Sequence, residues 1–129
     1  MGLLLLTGCK GGNGGTSSLG GKKNTLKLFI WGEYLGQDVI SNFEKEYDAK
    51  VIIEYFDSNE MMYTKIQAGD SYDILVPSDY MIERLIKEDM LQPIDKEEIS
   101  NFQNLRDEVK GLSYDPENTY SVPYFSGSV

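Results

Sequence analysis

The chain has 129 residues, with 12 Lys plus Arg against 21 Asp plus Glu, a formal net charge of −9, no histidine and one cysteine, Cys9. That length permits one small domain, and the negative field disfavours a phosphate-backbone partner while drawing in cations, so no nucleic acid is expected. Without histidine or a second cysteine the commonest general base, the usual zinc ligands and any intrachain disulfide are gone, so most enzyme classes are disfavoured and no cofactor or metal is expected.

Residues Leu3-Leu4-Leu5-Leu6-Thr7-Gly8-Cys9 form an apolar run too short to span a bilayer, followed by small residues and a cysteine. The run resembles the lipobox of bacterial lipoproteins. The resemblance implies cleavage before Cys9, a diacylglycerol on its sulfur, and a signal segment over residues 1–9 with no basic stretch before the leucines. Residues 10–24 then read as a flexible Gly/Ser-rich tether, because Lys10 to Gly21 holds six glycines and too little apolar surface to order itself. A dozen such residues have a root-mean-square reach of roughly 20 Å. Two acyl chains on one residue satisfy the requirement for stable membrane anchoring.

From Thr25 to Trp31 the alternation of Leu26, Leu28 and Ile30, with Phe29 on the other face, predicts a strand covered on both sides. Val39, Ile40, Phe43 and Tyr47 recur at spacings of three and four and predict a helix; Lys50 to Phe56 restores an apolar run. Asp57 and Glu60 sit at capping-box spacing before a second helix, with Met62 and Ile66 toward the sheet and Gly69 in a left-handed cap. Ser71-Tyr72-Asp73 leads into the strand Ile74-Leu75-Val76, which Pro77 ends. Ser78 or Asp79 caps a third helix with the stripe Met81, Ile82, Leu85 and Ile86. Strand, helix, strand, helix, strand, helix implies an α/β fold with a parallel sheet. Beyond Met90 the signals weaken to a short extended piece at Leu91 to Ile94, a helical turn or two from Ile99 to Leu105, a polar turn at Tyr114 to Asn118 and an extended Tyr120 to Tyr124.

Two strands therefore end in similar chemistry. One runs out through Trp31-Gly32-Glu33-Tyr34 and the other through Pro77-Ser78-Asp79-Tyr80, each delivering a ring and a carboxylate where open α/β sheets bind ligands. Ring faces attract ammonium groups and carboxylates accept charge-assisted hydrogen bonds from them, so the pattern suits an organic cation. Taken singly, each residue has a plainer use. Trp31 plugs the end of a sheet, Tyr34 and Tyr80 sit on its rim, Glu33 is a solvated loop acid, and Ser78 and Asp79 are helix caps. A Glu33 and Asp79 pair hydrolysing a glycoside would need a matched separation and split pKa values.

Read in order, Trp31-Gly32-Glu33-Tyr34, Phe56-Asp57-Ser58-Asn59-Glu60, Tyr72 through Ile82 and Ser121-Val122-Pro123-Tyr124 resemble the spermidine/putrescine-binding proteins of bacterial ABC transporters, over residues 25 to 127. The resemblance implies the amino-terminal lobe of a two-lobe periplasmic-binding-protein fold of type 2, incomplete here, with residues 25–129 as a partial first lobe. It further implies polyamine capture without catalysis and delivery to an ABC transporter permease. The ligand-binding positions it implies are Trp31 and Tyr34 as walls for the methylene chain, Glu33 as the carboxylate, Ser78 as a hydrogen-bond partner and Tyr80 as a second ring. It departs from the family at Ser126, where relatives carry a larger residue, and in covering only the amino-terminal portion, as expected of a fragment. The rival expectations are a receptor for another amine or an amino acid, or a non-binding surface lipoprotein.

Overall fold

The computed structural model describes residues 24–126. Cys9 and residues 10–23 of the expected tether lie outside them, and Asn24, expected as the tether's last residue, is the first residue of the opening strand. The described residues form two compact units, 24–76 and 77–126.

The first unit contains β1 (Asn24–Trp31), α1 (Val39–Tyr47), β2 (Ala49–Phe56), α2 (Asn59–Gln67) and β3 (Ile74–Leu75). The sheet is parallel, in the order β2-β1-β3. β1 and β2 are paired residue for residue, from Asn24 opposite Ala49 to Trp31 opposite Phe56, so their carboxyl ends are flush. Because side chains alternate along a strand, the sheet has two differently built faces. On one, Leu28, Ile30 and Val51 are buried, and Ile40 and Phe43 of α1 pack against them together with Ile53 and Val76. The α1 side also supplies Glu44, whose Oε1 accepts the Val51 N–H at 2.8 Å and lies 3.3 Å from Lys50 Nζ. The Val51 bond, with smaller help from Lys50, holds the Glu44 carboxyl below its ordinary value.

The opposite face is aromatic. Phe29 is fully buried; it meets Phe56 edge-on at 4.9 Å between centroids and stacks on Tyr72 at 4.3 Å. Met62 and Tyr63 of α2 are buried as well, whereas Ile66, expected to face the sheet, is only half-buried. Glu54 of β2 is ion-paired with Lys65 of α2, and its Oε2 accepts the Tyr72 hydroxyl at 3.1 Å. Lys65 Nζ also lies 5.6 Å from the Phe29 ring, and Lys27 Nζ lies 5.0 Å from that of Tyr72, both at cation–π distance. The Lys65 bond holds the Glu54 carboxyl below its ordinary value, and the same bond pushes the Lys65 ammonium up. Tyr72 is raised chiefly by burial and secondarily by its bond to Glu54.

Local chemistry sets the ends of these elements. The residue that caps α2 is Ser58, whose Oγ accepts the Met61 N–H at 3.1 Å, and not Asp57 as the spacing to Glu60 had suggested. A serine in extended backbone three residues before Met61 puts its oxygen on the free amide, while Asp57 lies one residue too early. At the other end Gly69, at φ 107°, completes a Schellman turn in which Gly69 N–H reaches the Ile66 carbonyl and Asp70 N–H that of Lys65. β3 is two residues long, not three. Val76 N–H still donates to the Phe29 carbonyl at 3.0 Å, but at the other end the Asp73 carboxylate takes the Lys27 N–H at 2.7 Å in place of a ladder carbonyl.

In the second unit α3 (Asp79–Lys87) buries Met81 and Leu85 and carries the pairs Glu83–Lys87 at 2.8 Å and Arg84–Glu88 at 3.0 Å on its exposed side. It too ends in a Schellman turn, with Asp89 at φ 57° in the position glycine usually takes. Short 3-10 turns follow at Lys96–Glu98, Ser100–Asn104 and Asp107–Val109. The polar turn expected at Tyr114 to Asn118 forms, with Asn118 N–H on the Asp115 carbonyl at 2.9 Å, and its Asp115 and Asn118 are buried in a polar knot. Asp115 accepts the Thr119 and Tyr120 N–H groups at 3.0 and 2.9 Å and the Ser121 hydroxyl at 2.7 Å, and Asn118 Oδ1 accepts the Gly111 N–H at 2.9 Å. Three charge-assisted bonds allow a carboxylate to be buried without a cation beside it. Among the described residues Tyr120 to Tyr124 pairs with no strand.

The sign of the Glu54 and Lys65 shifts defines a pH window. A carboxyl lowered on folding contributes stability that is present above its ordinary value near 4.5 and lost as pH falls through the lowered value. A raised ammonium contributes stability that is present below about 10.5 and lost as pH rises through the raised value. Glu54→Gln is therefore expected to flatten both limbs of the urea-midpoint profile, below about pH 4.5 and above about pH 10.5. An unchanged profile would show that the pair does not couple folding to protons.

Candidate ligand-binding site

Trp31 is the last residue of β1 and is half-buried, with its ring 4.6 Å from that of Phe56 across the strand pair. The chain then leaves the sheet through Gly32 and Glu33. A Cβ at Gly32 would meet no atom within 4 Å, so packing does not demand glycine there. Glu33 adopts φ 60°, a left-handed conformation that is costly for a residue with a Cβ, and it is exposed. After that turn Tyr34 comes back against the Leu28, Ile30 and Val51 cluster, and its ring centroid lies 6.3 Å from that of Trp31 at an interplanar angle of 35°. A solvated carboxylate thus sits on a tight turn between two aromatic residues fixed to the sheet.

The exit of β3 lies beside that of β1, since Val76 N–H donates to the Phe29 carbonyl, and Pro77, lacking an N–H, ends the ladder. Ser78 and Tyr80 follow in the second unit. Ser78 is the N-cap residue of α3 in extended backbone; its carbonyl accepts from Met81 and Ile82 N–H at 3.0 and 3.1 Å. The Asp79 carboxylate accepts the Tyr80 N–H at 2.7 Å, which fits Asp79 as a helix-start acid, and Tyr80 is 51% exposed. In the same unit Tyr114 has its hydroxyl pKa raised by burial first and by Asp79 and Asp115 next.

Trp31, Glu33 and Tyr34 are therefore brought together on one turn, while Ser78 and Tyr80 open the second unit. Sequence reasoning passed over Phe56, which backs Trp31 directly; the signal was present in two eight-residue strands in register that both end in an aromatic. The Trp31 to Tyr34 turn offers ring faces to a protonated amine and its alkyl chain, and an acid to its charge. Among the described residues no group of three or more Cys, Asp or Glu is placed to hold a metal.

A parallel α/β lobe with rings and an acid at its strand tips has the arrangement at which open α/β sheets bind ligands. The family model for bacterial extracellular solute-binding proteins matches residues 38–129, and the chain belongs to that family. It is similar to the spermidine/putrescine-binding periplasmic protein of Escherichia coli (strain K12), at 40% identity over 107 residues, 81% of this chain and 31% of that one. It is also similar to a spermidine/putrescine ABC transporter substrate-binding protein, PotD from Streptococcus pneumoniae, solved in complex with calcium and HEPES. There the TM-score is 0.76 and the identity 42%, covering 80% of this chain and 32% of the other. For the Tp0655 (TpPotD) lipoprotein of Treponema pallidum the TM-score is 0.74 and the identity 35%, over 79% and 33% of the two chains. The chain spans about a third of the length of these relatives.

If Glu33 is held left-handed for its carboxylate and not for the fold, glycine should serve the fold equally well. Glu33→Gly is expected to leave unfolding free energy unchanged or raise it by up to about 1 kcal/mol, the left-handed strain relieved being partly offset by the greater freedom of glycine in the unfolded chain. Urea titration checks this, and a clear loss of stability would assign the Glu33 side chain to the fold.

Proposed function

We propose that this chain provides binding groups of an extracytoplasmic lipoprotein that captures polyamines, spermidine or putrescine, and hands them to the permease of an ABC transporter. The single observation that carries this is the Trp31-Gly32-Glu33-Tyr34 turn, with its two rings 6.3 Å apart and an exposed acid between them at the carboxyl edge of a parallel sheet. A flexible dication needs apolar walls for its methylenes and fixed negative charge for its ends, and these residue types answer both needs. Trp31 and Tyr34 serve as walls and Glu33 as the counter-charge. Ser78 and Tyr80, a hydroxyl and a further ring at the start of the second unit, are candidate ligand groups that rest on the family resemblance. The net charge of −9 favours the approach of a polycation. The names of the relatives from Escherichia coli and Streptococcus pneumoniae support the ligand class and the transporter partner. Binding, release and delivery are the whole of the activity proposed, with no catalytic step.

Anchoring follows from Cys9. Its place after Leu6-Thr7-Gly8 is that of a lipid-bearing cysteine, and the Treponema pallidum relative carries the name lipoprotein. The acylated chain would be tethered by residues 10–23 at the outer face of the cytoplasmic membrane or in the periplasm.

Two measurements test this function. In calorimetry with spermidine and putrescine, Trp31→Ala and Glu33→Ala are each expected to weaken binding about tenfold or more, a loss of roughly 1.4 kcal/mol apiece. Parental affinity in both variants would remove these residues from the site. Palmitate labelling of cells expressing the chain is expected to mark it, and Cys9→Ser to abolish the label and release the protein from the membrane fraction; label persisting in the variant would exclude Cys9 as the anchor.

A further inference from the structure

Trp31 is the end member of a chain of four rings. It packs on Phe56 at 4.6 Å and 56°, Phe56 meets Phe29 at 4.9 Å and 82°, and Phe29 stacks on Tyr72 at 4.3 Å and 21°. The two end rings, Trp31 and Tyr72, are half-buried, and the two between them are buried, Phe56 at 3% and Phe29 at 0% exposed. The end away from Trp31 is pinned, because the Tyr72 hydroxyl donates to Glu54, which is ion-paired with Lys65. Phe56 is thus a fixed wall, held by its neighbours and directly opposite Trp31 in the strand register. An indole at a strand tip with nothing behind it would sample several rotamers, and a ligand would have to order it on binding.

We propose that Phe56 is a positioning residue for ligand capture: its buried ring seats the Trp31 indole before the ligand arrives, so that the amine meets an ordered aromatic wall. This rests on the polyamine function proposed above, in which Trp31 touches the ligand and Phe56 does not. Removing the wall leaves Trp31 chemically intact but mobile, and the ordering cost then falls on binding. The expected effect is a roughly three- to tenfold rise in Kd.

Trp31 is the only tryptophan of the chain, so its emission reports this one position without labelling. The experiment uses the 129-residue chain with spermidine as probe, and compares the parent with Phe56→Leu, with Phe56→Met as a replacement of similar bulk should the leucine variant fail to fold. Tyr72→Phe serves as a control that loosens the far end of the ring chain while leaving Phe56 in place. Time-resolved anisotropy and acrylamide quenching of Trp31 are measured without ligand, and the Kd for spermidine by calorimetry. Support consists of faster local depolarisation and greater quenching of Trp31 in the Phe56 variant, with the three- to tenfold weaker binding, and parental values for both in Tyr72→Phe. The proposal is overturned by unchanged Trp31 motion in a folded Phe56 variant, by altered motion with parental Kd, or by equal changes in Tyr72→Phe. Failure of the parent chain to bind spermidine or putrescine rejects the polyamine function and with it any ligand role for Phe56; the anisotropy comparison then separately decides whether Phe56 seats Trp31.

Discussion

The in-register parallel pairing of β1 with β2 is the constraint on which the first unit depends. Eight consecutive residues on each strand face one another, so the strands finish together and place Trp31 opposite Phe56. A slip of one residue would exchange the two faces of β2, bringing Glu54 into the Leu28 and Ile30 layer in place of Val51 and Ile53 and taking it away from Lys65. The register is enforced from both sides at once. The aliphatic layer under α1 accepts only Val51 and Ile53, and the aromatic layer accepts Phe56 together with a carboxylate placed to meet Lys65 and Tyr72. Ligand chemistry at the strand tip is thereby inherited from packing decisions made further down the sheet.

The two faces also divide the work between rigidity and recognition. Tyr34 is anchored to the aliphatic layer and Trp31 to the aromatic one, so the two rings of the candidate site are each held by a different face, with Glu33 between them on the turn. Within the first unit an exposed acid takes left-handed backbone twice, at Glu33 on that turn and at Asp48 where α1 ends, but only Glu33 lies between the two rings. Strain of this kind persists only when the flanking residues are held firmly, which both rings are.

Much of this was legible in the sequence, because the long elements obey a single period over many residues. β1, α1, β2, α2 and α3 follow from alternation or three-and-four spacing, and Trp31, Glu33 and Tyr34 were marked by lying at or just past the end of a strand. What escaped has a common cause: it joins residues far apart in the chain. Glu54 meets Lys65 and Tyr72 across intervals of 11 and 18 residues, and no periodic pattern announces a charged strand residue with distant partners. Asp115 looked like an ordinary turn residue because turns and buried knots use the same side chains, and only burial tells them apart. The choice of Ser58 over Asp57 as the cap was a contest between two good capping residues, decided by one step of register. β3 was over-extended by its last residue, Val76, which keeps one bond to the Phe29 carbonyl although the strand has already ended before Pro77.

Glu44 has a consequence beyond the helix that carries it. β2 is an outer strand, and its outward amides are the groups that a stray chain would recruit in building cross-β stacks. By occupying the Val51 amide, the Glu44 carboxylate withdraws one of those docking points and leaves an acid standing over the rim. A gatekeeper of this sort costs the fold little, and it discourages fibrillar growth from an otherwise unguarded border.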